Sequence, residues 1–141
     1  MEIKVFDKLP TYAVDIRMRV FVKEQGFSKD LELDEFEKVA KHLVGFAEGK
    51  MAATSRYFYS EKHKAYLISR IAVLKEYRGK GLGGEIVKAA EEKIKEDGGK
   101  TAVIHAQLRV KDFYESLGYK AYGEVDLEEG VEHIMMKKEL K

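Results

Sequence analysis

Residues Tyr77-Arg78-Gly79-Lys80-Gly81-Leu82-Gly83-Gly84-Glu85-Ile86-Val87 (YRGKGLGGEIV) place four glycines and two cations just ahead of an apolar repeat. Leu82, Ile86, Ala90 and Ile94 recur every four residues, while Glu85, Lys88, Glu91, Glu92 and Lys95 are expected to face outward. That spacing predicts an amphipathic helix, stopped at Asp97-Gly98-Gly99. Upstream, KAYLISRIAV (residues 64–73) mixes Tyr66, Ile68, Ile71 and Val73 with β-branched and aromatic neighbours and predicts a mostly buried strand. Strand, glycine-rich loop and helix together form a phosphate-binding arrangement. The first N–H groups of a helix lack partners, its dipole is positive there, and glycines let the backbone approach an anion closely. Arg78 and Lys80 would add charge-assisted hydrogen bonds worth roughly 1.5–3 kcal/mol each.

Working outward, Ile3 to Phe6 predicts a first strand, and Pro10-Thr11 opens a helix whose apolar face carries Ala13, Ile16 and Val20 beside Met18 and Phe21. KEQGFSKDLELDEFEKVAKH (residues 23–42) is polar and predicts a loop with a short helix from Glu35 to Lys41. HLVGFAEGKMAATSRYFYS (residues 42–60) predicts two strands joined at Glu48-Gly49-Lys50. After the long helix, Thr101 to Ala106 predicts a buried strand. Val110, Phe113, Tyr114 and Leu117 then follow the i, i+3, i+4, i+7 spacing of a helix closed by Gly118. Strands around Tyr119–Gly123 and His133–Lys138 join across Glu129-Gly130. The order predicts one α/β (or α+β) domain over residues 1–141, a mixed sheet with helices on its faces.

Two familiar phosphate loops fit the glycines badly. Gly79-x-Gly81-x-x-Gly84 satisfies the spacing of a dinucleotide fingerprint, but Leu74 to Arg78 separate it from its strand, and the next strand ends His105-Ala106-Gln107 with no acid for a ribose. A P-loop requires Lys after its last glycine, where this chain has Glu85. Composition excludes more. No cysteine is present, which rules out disulfides, thiolate metal sites and a cysteine nucleophile. Lys and Arg number 26 against 25 Asp and Glu, so the basic excess of a duplex-binding domain is missing. Neither a signal-like start nor an apolar run near the ~18 residues of a membrane span is seen, and the expectation is a soluble cytoplasmic protein that binds neither membrane nor nucleic acid. The four histidines, at 42, 63, 105 and 133, have no metal-ligand spacing, and no metal is expected.

Arg78-x-x-Gly81-x-Gly83 resembles the [RQ]-x-x-G-x-[GA] pyrophosphate loop of the GNAT N-acetyltransferase superfamily, and FYESLGY (residues 113–119) resembles that family's second landmark. Order and separation of the two motifs fit, and the predicted elements match over essentially the whole chain. The stretches VFVKEQ and LELDEFEKVAKHL resemble a small bacterial branch whose acceptor is poorly defined. The resemblance implies a mostly antiparallel central sheet of about six to seven strands with about four helices, and transfer of acetyl from acetyl-CoA to a primary amine. It also implies that Arg78, Gly79, Lys80, Gly81, Leu82, Gly83 and Gly84 cradle the pyrophosphate, and that Ile71, Ala72 and Val73 pair with pantetheine. Gln107 stands where the family commonly has Asn, and Val110 where it often has Ala, while Phe113 would pack near the cofactor.

By the same resemblance Tyr114 is the general acid that protonates the departing sulfur, although its place on the apolar stripe with Val110 and Leu117 equally suits a core tyrosine. The proton acceptor is left among Glu24, Asp34, His42, Glu124, Glu128 and His133, of which Glu24 and His133 are carried forward as base or acceptor-side residues. Without cysteine, transfer would be direct, with no acyl-enzyme. The rival expectation is a non-catalytic acyl-CoA-binding sensor, which would need the loop but not Tyr114. A homodimer is common in the family, and the amine acceptor is unidentified.

Overall fold

The computed structural model describes residues 1–29 and 33–141; part of the polar segment before Asp34, including Leu31 and Glu32 of the acidic run, lies outside the described residues. Among the described residues, seven strands form one sheet in the order β1-β2-β3-β4-β5-β7-β6. They are β1 (Glu2–Phe6), β2 (Lys41–Ala47), β3 (Lys50–Ser60), β4 (Ala65–Val73), β5 (Thr101–Gln107), β6 (Lys120–Glu128) and β7 (Val131–Glu139). Only the β4–β5 pairing is parallel; it needs a crossover, which the long helix supplies, whereas the neighbours β2–β3 and β6–β7 are hairpins.

Three α-helices lie among the described residues: α1 (Thr11–Arg17), α2 (Leu82–Glu96) and α3 (Lys111–Ser116). Helix α1 runs on as a π-helical stretch, Met18–Glu24. The helix expected over Glu35–Lys41 is a single 3-10 turn, Glu35–Lys38. Asp34 caps it by accepting from the Phe36 N–H, Glu37 closes a capping box, and β2 begins three residues after it ends. Too few residues are left between cap and strand for an α-helix to propagate.

Alternate residues of each strand face opposite sides of the sheet, and each side has its own core. On one side Ile86, Val87, Ala90 and Ile94 of α2, with Tyr114 and Tyr119, pack on Leu43, Ala53, Tyr57, Ile68, Ile104 and Met136. On the other, Ala13, Ile16 and Val20 pack on Val44, Phe46, Ala72 and Leu74. One predicted outward residue turns inward. Glu91 is buried, and its carboxylate accepts from the Tyr119 hydroxyl at 2.7 Å and the Lys138 ammonium at 3.0 Å. Its i, i+4 spacing from Val87 puts it near the apolar stripe, and two donors offset its desolvation.

Gly99 ends the α2 crossover where a Cβ would overlap Ile94 and stand 2.6 Å from the Tyr66 ring. Gly99→Ala is expected to destabilise the domain by about 1–3 kcal/mol, as overpacked cores do, read as a fall in the urea midpoint with an unchanged m-value. An unchanged midpoint would show that α2 and β4 can part there at no cost.

Candidate active site

Strands β4 and β5 pair only at Tyr66↔Ala102 and Leu67↔Val103. Beyond that the two strands diverge, because β4 carries a bulge. Thr54 faces Ala72 while Arg56 faces Ser69, so Arg70 and Ile71 together oppose Ser55. Arg70 absorbs the extra residue with a left-handed φ of 52°, and such a bulge bends and twists its strand. The resulting gap opens into a cleft of about 820 Å³. Since the gap passes between two strands, it connects the α2–α3 side of the sheet with the α1 side.

At one end of the cleft lies the glycine loop. Gly79 and Gly81 have φ of 80° and 78°, conformations that cost an L-residue roughly 1–2 kcal/mol. Gly81 is the N-cap of α2, and the first bond of the helix to a backbone carbonyl runs from the Glu85 N–H to the Gly81 carbonyl. The N–H groups of Leu82, Gly83 and Gly84 therefore precede the helical ladder and have no acceptor within it. Gly83 is required by contact as well: a Cβ there would stand 3.2 Å from Phe113 Cζ and 3.7 Å from Val73 Cγ2. Phe113 packs edge-on against Tyr114 at 5.0 Å, so the loop, β4 and α3 meet at this glycine.

Of the residues singled out in the sequence, Ile71, Val73, Arg78, Gly79, Gly81, Leu82, Gly83, Gly84, Gln107, Phe113, Tyr114 and His133 line the cleft. Three do not. Ala72 points into the core under α1 and offers the cleft only its backbone. Lys80 extends over the Tyr77 ring at 5.8 Å. Glu24 pairs with Arg78 through two contacts of 2.9 Å, and the Arg78 Nε–H donates to the Val73 carbonyl at 3.0 Å. Arg78 thus ties the end of the π-helical stretch to the end of β4 at the mouth of the loop.

Tyr114 is buried in α3 at the cleft wall, its hydroxyl has no hydrogen-bond partner among the described residues, and burial pushes it up to about 12. Across the gap, Gln107 donates to the Gln25 side chain at 2.8 Å. His133 is buried, and its Nδ1–H donates to the Val131 carbonyl at 2.8 Å, which leaves Nε2 as the ring's lone-pair nitrogen, 3.6 Å from Glu128 Oε2. His105 stacks on His133 at 4.6 Å between centroids and meets Asp126 Oδ1 at 2.8 Å through Nε2.

Asp34, His42 and Glu124 stand in other surroundings. Asp34 lines the cleft, but Arg56 donates to it at 2.7 and 2.8 Å and Arg70 at 3.2 Å. Burial raises its carboxyl, and the hydrogen bond and charge of Arg56 with the charge of Arg70 outweigh that and hold it below its ordinary value. Glu37 sits beside it against Arg17 and Arg56, whose side chains are 1% and 3% exposed, and is also held low; burial opposes the shift and the Arg17 hydrogen bond and both charges prevail. His42 is buried off the cleft, its Nε2–H donating to the Glu37 carbonyl at 3.1 Å, and burial pushes its pKa down. Glu124 is exposed at the β6 bulge.

Several cleft residues were not anticipated: Phe21, Phe27, Phe36 and Phe58, with Arg56 and Arg109. The Phe36 and Phe58 rings stack at 4.4 Å. Only the aromatic content of residues 21–36 hinted at such a wall, and nothing local ties Phe36 to Phe58 across 22 positions.

The comparisons agree with this architecture. The family model described as "Acetyltransferase (GNAT) domain" matches residues 14–140. The fold is that of an acyltransferase, and the chain belongs to the GNAT acetyltransferase family. YyaT of Bacillus subtilis, itself uncharacterised, is 37% identical over 131 residues, covering 91% of this chain and 87% of that protein. A crystal structure from Lactobacillus plantarum superposes with a TM-score of 0.89 at 29% identity, covering 99% and 98% of the two chains. A Bacillus subtilis acetyltransferase in complex with CoA shares the fold at 20% identity, with a TM-score of 0.75 over 99% of each chain.

Because Asp34 and Glu37 titrate low in the folded state, their contribution to stability is full above the ordinary values of 3.8 and 4.5 and is lost as pH falls through the folded ones. Glu37→Gln, which leaves the Arg17 and Arg56 guanidiniums under-neutralised, is expected to cost about 3–5 kcal/mol at pH 7 and to flatten the acid limb of the stability curve. A pH series of urea midpoints checks this. A parallel loss at pH 7 and pH 3 would contradict it.

Proposed function

We propose that this chain transfers acetyl from acetyl-CoA directly to a primary amine in the cytoplasm. The observation that carries the reading is the cleft that joins a bare-amide glycine loop on one side of the sheet to Tyr114 and, through the β4–β5 gap, to His133 on the other. The N–H groups from Gly79 to Gly84, with Arg78 turning from Glu24 and Lys80 from Tyr77, would hold the diphosphate. The pantetheine arm would lie against Ile71–Val73, the β4 edge that β5 leaves unpaired, with Phe113 and Gln107 flanking it. A relative in complex with CoA supports the choice of donor.

The amine nitrogen attacks the thioester carbonyl carbon, and the C–S bond then breaks with its electron pair leaving on sulfur. Tyr114 stays protonated through the neutral range with its pKa near 12. A thiol titrates near 8.5, so complete transfer from tyrosine to a free thiolate is uphill. Tyr114 therefore acts as the acid while charge builds on sulfur, and the proton released by the amine makes good any lost. His133 Nε2 would first take that proton, directly or through water, with the tautomer set by Val131. Glu24, engaged by Arg78, is assigned to positioning the loop instead.

Tyr114→Phe is expected to lower kcat about a hundredfold or more while acetyl-CoA still raises the melting temperature. A variant with unchanged turnover would remove Tyr114 from the chemistry, and wild type that binds acetyl-CoA yet acetylates no amine would establish the sensor reading. The proton on Tyr114 also predicts no descending limb of kcat/KM below about pH 10 from this residue. Gly81→Val places a β-branched side chain at φ of 78° on the cleft rim, and calorimetry should show acetyl-CoA affinity falling at least tenfold. Equal affinity would move the diphosphate elsewhere.

A further inference from the structure

The strand pairing brings together His105, Glu128 and His133, a cluster that spacing along the sequence does not show. Gln107 faces His133 across the β5–β7 ladder and His105 faces Met135, so both imidazoles project from the same side of neighbouring strands. Glu128 closes the β6–β7 hairpin opposite Val131. One ligating atom each from His105, Glu128 and His133 lie within 4.8 Å of one another, on the cleft wall. We infer that these three residues form a binding site for a divalent transition-metal ion of the zinc class, at the acceptor-side wall of the cleft.

Three features of the geometry support it. First, the donor set is two imidazoles and one carboxylate, which suits zinc, copper, nickel and cobalt better than magnesium or calcium. Second, one separation already fits. Two ligands of a tetrahedral ion with bonds of about 2.1 Å are about 3.4 Å apart, and His133 Nε2 stands 3.6 Å from Glu128 Oε2. The Glu128 side chain is 55% exposed, free to close the remaining distance. Third, both rings are already anchored by their other contacts. His133 is fixed through Nδ1–H to the Val131 carbonyl, and His105 meets the Asp126 carboxylate at 2.8 Å, the kind of outer partner that orients metal-binding histidines. A three-residue set leaves a fourth position open toward the cleft.

An ion there would occupy the Nε2 lone pair that the amine's proton would otherwise use, so metal and acceptor would compete. The site stands on its own geometry and does not depend on the acyl-transfer reading.

The test uses the untagged full chain freed of metal by chelator and dialysis. Zn²⁺ is titrated by calorimetry, and Co²⁺ is followed by the visible absorption that low-symmetry four- or five-coordinate cobalt shows and hexaaquo cobalt scarcely does. One ion per chain at micromolar affinity or better is expected. His105→Ala, Glu128→Gln and His133→Ala should each weaken it at least tenfold, Asp126→Asn about tenfold or more, and His63→Ala not at all. Circular dichroism and urea midpoints of each variant establish that it is folded. In acetyl-transfer assays Zn²⁺ should inhibit competitively with the amine and not with acetyl-CoA. Absence of heat and of the cobalt band at millimolar metal would overturn the site, as would binding that survives His105→Ala and His133→Ala together. The spectroscopic and calorimetric arms need no turnover, so a failed metal site and a failed acetyltransferase assignment give different results.

Discussion

The site depends on two strands that stop pairing. A parallel β4–β5 ladder carried to its end would seal the sheet, and the glycine loop would then sit on a closed surface with Tyr114 on one face and His133 on the other. The bulge at Arg70 prevents that. By inserting one residue opposite Ser55 it turns the last third of β4 away from β5, so pairing ends at Leu67 and a passage opens through the sheet. A left-handed arginine costs of order 1 kcal/mol or more; the surrounding packing on both faces holds it there.

Buried charge beside that passage is paired. Arg56 and Arg17 are almost fully buried, and they are matched by Asp34 and Glu37, whose carboxyls are held low. This cluster fastens the short 3-10 turn to β3 and β4, and so places Phe36 against Phe58 on the cleft wall. Arg78 does similar work at the other end by joining Glu24 to the Val73 carbonyl. Of these two clamps, the second lies where an incoming diphosphate would compete for the guanidinium. The first is buried too deeply to be exchanged, and it sets the shape of the acceptor side.

Much of this was readable from residue order. Glycines ahead of an i, i+4 apolar repeat marked the loop and α2, and the strand-helix rhythm marked the sheet. What stayed hidden depended on pairing register. The bulge at Arg70 has no local sequence signal, since arginine is not a residue that favours positive φ. Glu91 reads as a surface acid until Tyr119 and Lys138 arrive from 28 and 47 residues away. His105 and His133, 28 positions apart, become ring neighbours only because β7 lies between β5 and β6. Spacing along the chain could not have shown them as a cluster.

The proposed role of the bared amides of residues 79–84 and the unpaired edge of β4 is to hold one extended thiol ester. A crystal structure grown with acetyl-CoA tests it most directly. Diphosphate oxygens are expected within hydrogen-bonding distance of the N–H groups between Gly79 and Gly84, with the thioester lodged between Ile71 and Tyr114. A carrier bound with its diphosphate elsewhere on the sheet, or one that leaves the β4–β5 gap empty, would contradict it.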